Sequence, residues 1–129
     1  MTPVDPDETL DALHASDDCR VVSALLARIG DKWSVLVVML LSRGPLRFNA
    51  LKRALGSISQ RMLTLTLRNL ERDGLVTRTI FATIPPRVEY ELTDLGHSLR
   101  APVQALGLWA FEHQERIEQS RKVYDGRQG

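Results

Sequence analysis

The chain has 129 residues, of which 43% are hydrophobic and 26% charged, and this size and balance are typical of one globular domain. Its formal charge is +1 and it contains a single cysteine, which excludes a disulfide within the chain and a cysteine-rich zinc site. No apolar run reaches the roughly 20 residues that cross a bilayer, and the acidic start does not resemble a signal peptide, so we expect a soluble cytoplasmic protein.

The small net charge conceals a separation of charge along the chain. Residues 1–18 carry six acids and no Lys or Arg, whereas residues 43–78 carry eight Lys and Arg against two acids. A concentrated positive field attracts polyanions. The middle of the chain is therefore expected to face a nucleic acid.

The N-terminal third is predicted to contain an arm followed by two helices. Residues 1–16 combine two prolines with scattered acids and are expected to form a flexible acidic arm. A helical stripe of apolar residues over 21–29 predicts the first helix. Asp31 is a candidate N-cap for a second, strongly apolar helix that ends at about Ser42.

Two further helices joined by a short turn are predicted next. A short helix from Arg47 turns three apolar residues inward, and residues 56–58, which include a glycine, form the turn. The following helix, at about 59–73, has Ser59 as its candidate N-cap. Its apolar face consists of Met62, Leu63, Leu67 and Leu70. This arrangement is typical of a helix-turn-helix unit.

The other face of the helix at 59–73 carries short polar side chains and arginines. Its outward residues are Gln60, Arg61, Thr64 and Arg68. Such groups reach base edges and phosphates, and the helix end at Ser59 can hold a phosphate, so we expect this helix to read DNA. Arg47 and Asn49 are expected to contact the DNA backbone. Taken alone, such a helix is more often a solvated surface helix, and the interpretation depends on its neighbours.

A β-hairpin, the wing, is predicted over about 76–92 by a β-branched run and an alternating return strand. Pro85 and Pro86 remove two backbone donors and stiffen its tip, which favours a loop that presents Arg87 to a phosphate or minor groove. A plain solvent-facing proline turn is the alternative. The wing and the helix-turn-helix unit together predict a mainly α, winged helix-turn-helix domain over residues 17–119.

The last predicted helix, at about 94–119, is capped by Thr93 or Asp94, and Pro102 either begins a second segment or kinks it. The flexible tail is expected at 120–129. Apolar residues on the first and last helices exceed what a small monomer buries, so we expect them to form a homodimer. The predicted dimerisation residues are Val22, Leu25, Leu26, Leu106, Trp109 and Phe111. Twofold symmetry would place two reading helices about 34 to 36 Å apart on a pseudo-palindromic operator.

Five ordered segments between Cys19 and about Trp109 carry a family resemblance. They are Gly30-Asp31-Lys32-Trp33, Gly44-Pro45-Leu46-Arg47-Phe48-Asn49-Ala50-Leu51, Ile58-Ser59-Gln60-Arg61-Met62-Leu63-Thr64, Asp73-Gly74-Leu75-Val76, and Pro85-Pro86-Arg87-Val88-Glu89-Tyr90-Glu91-Leu92-Thr93. Through them the chain resembles the HxlR-type bacterial transcription regulators, winged-helix relatives of the MarR group. The resemblance implies a homodimeric DNA-binding repressor or activator whose terminal helices form the dimer interface.

The resemblance also implies thiol sensing at Cys19, since the equivalent cysteine of some relatives responds to electrophiles or oxidants. The chain departs from the pattern in two places: Arg20 follows the cysteine where relatives commonly have proline, and Leu65 replaces a polar residue on the reading helix. Arg20 and a helix N-terminus favour a thiolate, whereas Asp17 and Asp18 oppose it, so the charges leave sensing undecided.

Two other functions stay open at this point. A small apolar effector could switch the regulator while Cys19 is an inert packing residue, or the winged helix could bind a protein and not DNA. An enzyme is the least favoured class, because Cys19 lacks a histidine partner and the chain has no glycine-rich phosphate loop or metal motif. We therefore expect no cofactor and no metal.

Overall fold

A computed structural model describes residues 7–8 and 18–128 of the chain, so most of the expected arm at 1–16 lies outside the described residues. Between residues 18 and 128 it contains six helices and three strands. They are α1 (Asp18–Ile29), α2 (Lys32–Leu41), β1 (Leu46–Arg47), α3 (Phe48–Leu55), α4 (Gln60–Arg72), β2 (Val76–Phe81), β3 (Arg87–Leu92), α5 (Asp94–Ser98) and α6 (Arg100–Gln128). The predicted class, a mainly helical winged helix-turn-helix, is confirmed. None of these helices is long and apolar enough to cross a membrane.

Local capping signals determine where the central helices begin. The Asp31 side chain accepts a hydrogen bond from the Ser34 N–H at 3.2 Å, and the Ser59 hydroxyl accepts one from the Met62 N–H at 3.0 Å. Each bond satisfies one of the N–H groups that a helix start leaves free. Both predicted N-caps are confirmed.

The sheet has three strands in the order β1-β3-β2, all antiparallel, where the sequence predicted a two-stranded hairpin. Leu46 pairs with Tyr90 and Arg47 with Glu89, so Arg47 lies in a strand and α3 begins one residue later than predicted. A strand of two residues is too short to show period-two alternation. It forms because the more distant β3 supplies its hydrogen-bonding partner.

The core lies between α2, α3, α4 and the sheet. Its buried residues are Val37, Val38, Leu41, Leu51, Ile58, Leu63, Leu67, Leu70, Leu75, Val76 and Leu92. Full burial of each such side chain contributes about 1.5 to 3 kcal/mol. Met62, predicted to face this core, is 40% exposed, and that prediction is wrong. Thr66 is buried in its place and donates its hydroxyl hydrogen to the Met62 carbonyl at 2.8 Å.

The C-terminal region consists of two helices that are separated at Leu99. Thr93, and not Asp94, caps α5, because its hydroxyl accepts the Gly96 N–H at 3.0 Å. Pro102 lies in the first turn of α6, where a missing N–H breaks no helical hydrogen bond, so it belongs to the start of a second segment. The helix includes residues 120–128, for which we expected a tail, so the predicted boundary at 119 is corrected. No proline interrupts that stretch.

Candidate DNA-binding interface

The helix α4 is fixed to the domain along one face. Leu63, Leu67 and Leu70 recur at spacings of four and three residues and are buried against α2 and the sheet. At about 100° per residue, these side chains occupy one side of the helix. Their burial holds the opposite side of α4 toward solvent, and this orientation follows from the apolar spacing alone.

The solvent side of α4 forms an open groove. Five side chains line it, and they are Gln60, Arg61, Thr64, Leu65 and Arg68. Four of the predicted DNA-contacting residues are thereby brought together on one surface. Leu65 is 51% exposed and adds an apolar group between the polar ones. An apolar side chain in this position can contact the methyl group of a thymine.

The Thr64 hydroxyl already has a partner inside α4. It donates to the Gln60 carbonyl at 2.9 Å, so its hydrogen is directed along its own helix. A hydroxyl oxygen retains acceptor capacity when its hydrogen is used. Thr64 is therefore suited to accept from a base amino group, while Gln60 and the two arginines supply donors.

A second groove continues the first toward the wing. It is lined by Arg68, Glu71, Arg72 and Arg78. Sequence reasoning counted Arg72 and Arg78 as part of the basic segment but did not assign them to the interface. Their roles depend on β2 lying beside α4, which is a tertiary contact. The three arginines make a cationic strip at the end of the reading helix, with Glu71 as the one acid in it.

The remaining predicted contacts lie on other elements. Arg47 and Asn49 are exposed at the junction of β1 and α3, and neither lines the α4 grooves. Ser59 adjoins the groove as the N-cap of α4, where the first N–H groups of the helix are directed outward. These three residues keep their expected roles as predictions.

Arg87 is held within the wing. Its guanidinium lies 4.3 Å from the centre of the Phe81 ring, and its Nε lies 3.1 Å from Glu89 Oε2. The contact with Glu89 is an ion pair that lacks hydrogen-bond geometry, since the buried Nε makes no hydrogen bond. A phosphate contact by Arg87 stays a prediction, and it would use the terminal nitrogens of the guanidinium.

One ion pair joins α1 to the end of the reading helix. Arg28 Nη1 lies 3.4 Å from Oδ1 of Asp73, the residue that ends α4, and both side chains are partly exposed. The other oxygen of Asp73 is buried and accepts no hydrogen bond. A carboxylate at a helix C-terminus is unfavourable for the helix dipole, so Arg28 offsets a local electrostatic cost.

The predicted dimerisation residues are at the surface of the protomer. Val22 is half-buried, while Leu25, Leu26 and Leu106 are exposed, together with Trp109 at 55% and Phe111 at 71%. Cys19 is half-buried in the first turn of α1. In the described part of the chain, no group of three or more His, Cys, Asp or Glu side chains is placed to hold a metal ion.

A reading helix that follows a short helix, packs against α2 and β2 and carries arginines on its free face, with a β-hairpin wing beside it, defines a winged helix-turn-helix DNA-binding protein. The chain belongs to the HxlR-like helix-turn-helix family, whose model matches residues 28–118. It is therefore a transcriptional regulator and not an enzyme.

Similar proteins cover most of the chain. The HTH-type transcriptional regulator YdeP of Bacillus subtilis is 38% identical over 117 residues, which are 87% of this chain and 91% of YdeP. The reduced form of the redox regulator HypR is 40% identical, with a TM-score of 0.71 over 76% of this chain and 97% of HypR. A MarR-family transcriptional regulator from Enterococcus faecalis V583 is 36% identical, with a TM-score of 0.66 over 81% of this chain and 94% of that protein. The resemblance to the HxlR and MarR groups is confirmed.

Proposed function

We propose that the protein acts on the nucleoid as a homodimer that reads a pseudo-palindromic double-stranded DNA operator. Each copy would place α4 in the major groove and its wing along the adjacent backbone. The observation that carries the proposal is the groove on α4, in which Gln60, Arg61, Thr64, Leu65 and Arg68 share one exposed face. The arrangement presents donors, an acceptor and an apolar group together, as direct readout of bases requires.

The residues divide into base-reading and backbone-positioning groups. Arg61 and Arg68 are directed to guanine edges or phosphates, and Gln60 and Thr64 to adjacent bases. Backbone contacts fall to the N-terminus of α4 at Ser59 and to Arg47, Asn49 and Arg87. The cationic strip of Arg68, Arg72 and Arg78 adds phosphate contacts between α4 and the wing.

The test is fluorescence anisotropy of a labelled duplex from upstream of the protein's own gene, against a scrambled duplex, over a range of salt. Arg61→Ala or Arg68→Ala should weaken operator binding by about 1 to 3 kcal/mol. If one of them contacts only phosphate, binding to both duplexes should weaken alike and the salt slope should fall by about one. Arg121→Ala is the matched control, because this exposed arginine lies on α6, away from the grooves.

Unchanged affinity and salt slope in both α4 variants would refute the assignment. Equal, salt-sensitive binding to both duplexes would show that the operator lies elsewhere. No binding by the wild-type protein at low salt would favour a winged helix that binds a protein partner.

The proposed signal is oxidation or alkylation of Cys19. HypR, with its reduced and oxidised forms, is a redox regulator of closely similar fold. This chain has one cysteine, so disulfide formation has two possible products: a disulfide between two copies of Cys19, or a mixed disulfide with a small thiol. In either case two thiols lose two protons and two electrons to the oxidant as one S–S bond forms. Diamide or a quinone should change DNA binding of the wild type and leave Cys19→Ser unaffected.

A second candidate signal is a small apolar effector with Cys19 inert. A cavity of about 690 Å³ lies between α1, α2 and α6, and Gln104 is the one polar side chain in its lining. It is walled mainly by leucines together with Ile29, Val35 and Met39. This volume and apolar lining are typical of small-molecule sites. DNA binding that ignores oxidants but responds to an apolar compound equally in wild type and Cys19→Ser would favour this candidate.

A further inference from the structure

The tip of the wing is apolar and exposed. Strands β2 and β3 end at the pair Phe81–Arg87, and residues 82–86 form the five-residue loop between them. Ile84 is the middle residue of this loop, and its side chain is fully exposed. Ile80 on β2 adds a second apolar side chain, which is 62% exposed. A single exposed apolar residue is ordinary at a protein surface, so the role of Ile84 depends on its position.

The loop is held in shape by its own hydrogen bonds. The Thr83 N–H donates to the Phe81 carbonyl at 2.8 Å, and the Thr83 hydroxyl donates to the Pro85 carbonyl at 2.8 Å. Pro85 and Pro86 each fix a further backbone torsion. Ile84 therefore stands on a preorganised support, which reduces the entropy that is lost when a partner buries its side chain.

The charges of the wing lie behind this tip. Residues 79–86 contain no charged side chain and are flanked by Arg78 and Arg87, and there is no acid between residues 74 and 88. A tip that bound phosphates would be expected to carry basic groups itself. An apolar apex with cations behind it instead matches a DNA groove, whose floor exposes base edges and whose rims carry phosphates.

The reach of the loop agrees with the depth of the minor groove. Ile84 is three residues from either member of the Phe81–Arg87 pair, so at about 3.3 Å per residue it projects at most about 10 Å beyond that pair. The minor groove of B-DNA is about 7.5 Å deep. An apex at the floor of the groove therefore leaves Arg87 near the phosphates on the rim.

The width of the hairpin, in contrast, exceeds what an undistorted minor groove admits. The backbones of two paired strands are about 4.8 Å apart before side chains are added, whereas the groove is about 6 Å wide. The tip can reach the floor only if the groove opens. We propose that Ile84 is a wedge that enters the minor groove, unstacks one base step and bends the operator toward the major groove. The inference rests on the proposed DNA binding and adds to it a deformation of the duplex and the residue that causes it.

Such a wedge gives the protein a sequence preference that needs no hydrogen bond to a base. Pyrimidine–purine steps, which are TA and CA/TG, unstack and kink at the lowest cost. The minor groove beside the major groove that α4 reads lies about half a helical turn, or about 5 bp, from the centre of that contact. We therefore expect each half-site to have a pyrimidine–purine step about 5 bp to one side of the bases that α4 reads.

The first experiment selects operators from a library of random duplexes, with the full wild-type chain and with Ile84→Ala. Both proteins should recover the same bases opposite α4, because Ile84 lies outside the groove on α4. The wild type should also enrich a pyrimidine–purine step at the flanking position, and the variant should not. The variant should fold normally because the truncated side chain is fully exposed, and its urea unfolding checks this.

The second experiment measures the bend of the selected duplex by energy transfer between dyes at its two ends. The wild type should shorten the distance between the ends, and Ile84→Ala should leave it close to that of the free duplex. Ile84→Leu, which keeps an apolar wedge, should retain the bend. Ile80→Ala is the matched control, because it removes the same atoms from an exposed side chain behind the Phe81–Arg87 pair.

The bend is a more direct readout than the affinity. Ile84→Ala should weaken binding by at most about tenfold, because the lost apolar contact is partly offset by the bending cost that is no longer incurred. A residue that only stabilised the wing would not alter the bend and the flanking sequence preference while the bases opposite α4 stayed the same.

A bend that is lost in Ile84→Ala and kept in Ile84→Leu and Ile80→Ala would support the wedge. A duplex that stays straight with the wild type, or a bend that Ile84→Ala leaves unchanged, would overturn the wedge while the proposed DNA-binding function stands. Equal loss of the bend in Ile80→Ala would also overturn it, because the bend would then depend on the wing as a whole. Failure of the wild type to enrich any sequence would overturn the proposed function and the wedge together.

Discussion

Gly96 lies where α5 approaches the junction between the reading helix and the wing, and a substitution at Gly96 tests how close this approach is. It is buried, and a Cβ atom there would lie inside contact distance of the Leu75 carbonyl oxygen and 3.0 Å from a methyl carbon of Leu92. The same carbonyl accepts the Thr93 N–H at 3.0 Å, and the Thr93 hydroxyl donates to the Gly74 carbonyl at 2.6 Å. The clash is with backbone, so the junction itself must move.

Gly96→Ala should therefore destabilise the protein by about 1 to 3 kcal/mol. Overpacking costs about 1 to 3 kcal/mol and a strained hydrogen bond about 1 more, while alanine regains at most about 1 through helix propensity. The loss corresponds to a fall in Tm on the order of 10 °C for a chain of this size. Urea unfolding at fixed protein concentration measures the difference, because the proposed dimerisation would make stability depend on concentration.

The matched control is Gly126→Ala, the same chemical change in the last turns of α6, where an added Cβ meets no atom within 4 Å. It should leave stability unchanged or raise it by less than about 1 kcal/mol. If the free energies of unfolding of the two variants differ by less than about 0.5 kcal/mol, α5 does not hold the junction in the way described.

Three further changes test the interface. Ser59→Ala removes the N-cap of α4 and should cost about 1 kcal/mol in urea unfolding while weakening operator binding; an unchanged unfolding free energy would contradict the cap. Arg28→Ala leaves the Asp73 carboxylate without its ion-pair partner and should lower the free energy of unfolding by about 1 kcal/mol. In a double-mutant cycle, Arg28→Ala/Asp73→Ala should be less destabilised than the sum of the two single variants. Leu65→Ala should change the free energy of unfolding by no more than about 0.5 kcal/mol. It should reduce the preference, measured by anisotropy, for a duplex with thymine at one operator position over a duplex with another base there. An equal loss of affinity for all duplexes would argue against a contact between Leu65 and a thymine methyl group.

The reading helix was predictable because its signals are local. The Ser59 cap and the spacing of Leu63, Leu67 and Leu70 lie within a dozen residues, and they alone orient the polar face. The error at Met62 has a local cause too. Met62 borders the apolar side of the helix, so the apolar spacing assigned it to the core. That spacing does not show that the Thr66 hydroxyl donates to a carbonyl of its own helix, which allows Thr66 to be buried where Met62 was expected.

Other features needed contacts between distant parts of the chain. Strand β1 exists because Leu46 pairs with Tyr90, and the pairing of two residues leaves no periodic trace in the sequence. Arg78 lines the second groove because β2 lies beside α4. Arg87 was expected beside a tip stiffened by Pro85 and Pro86, and its packing on Phe81 across the hairpin, where the register of β2 and β3 pairs these two residues, has no signal in the local sequence.

The amino-acid sequence by itself determined the class of protein, the position of the reading helix and the sign of the charge around it. Caps, apolar spacing and turn residues act over a few positions, so their effects can be read without a fold. Tertiary structure decided which side chains share a surface. The groove walls from β2, the Arg28–Asp73 ion pair and the uncovered length of α6 depend on packing between residues far apart in the chain, and local propensity contains no information on that packing.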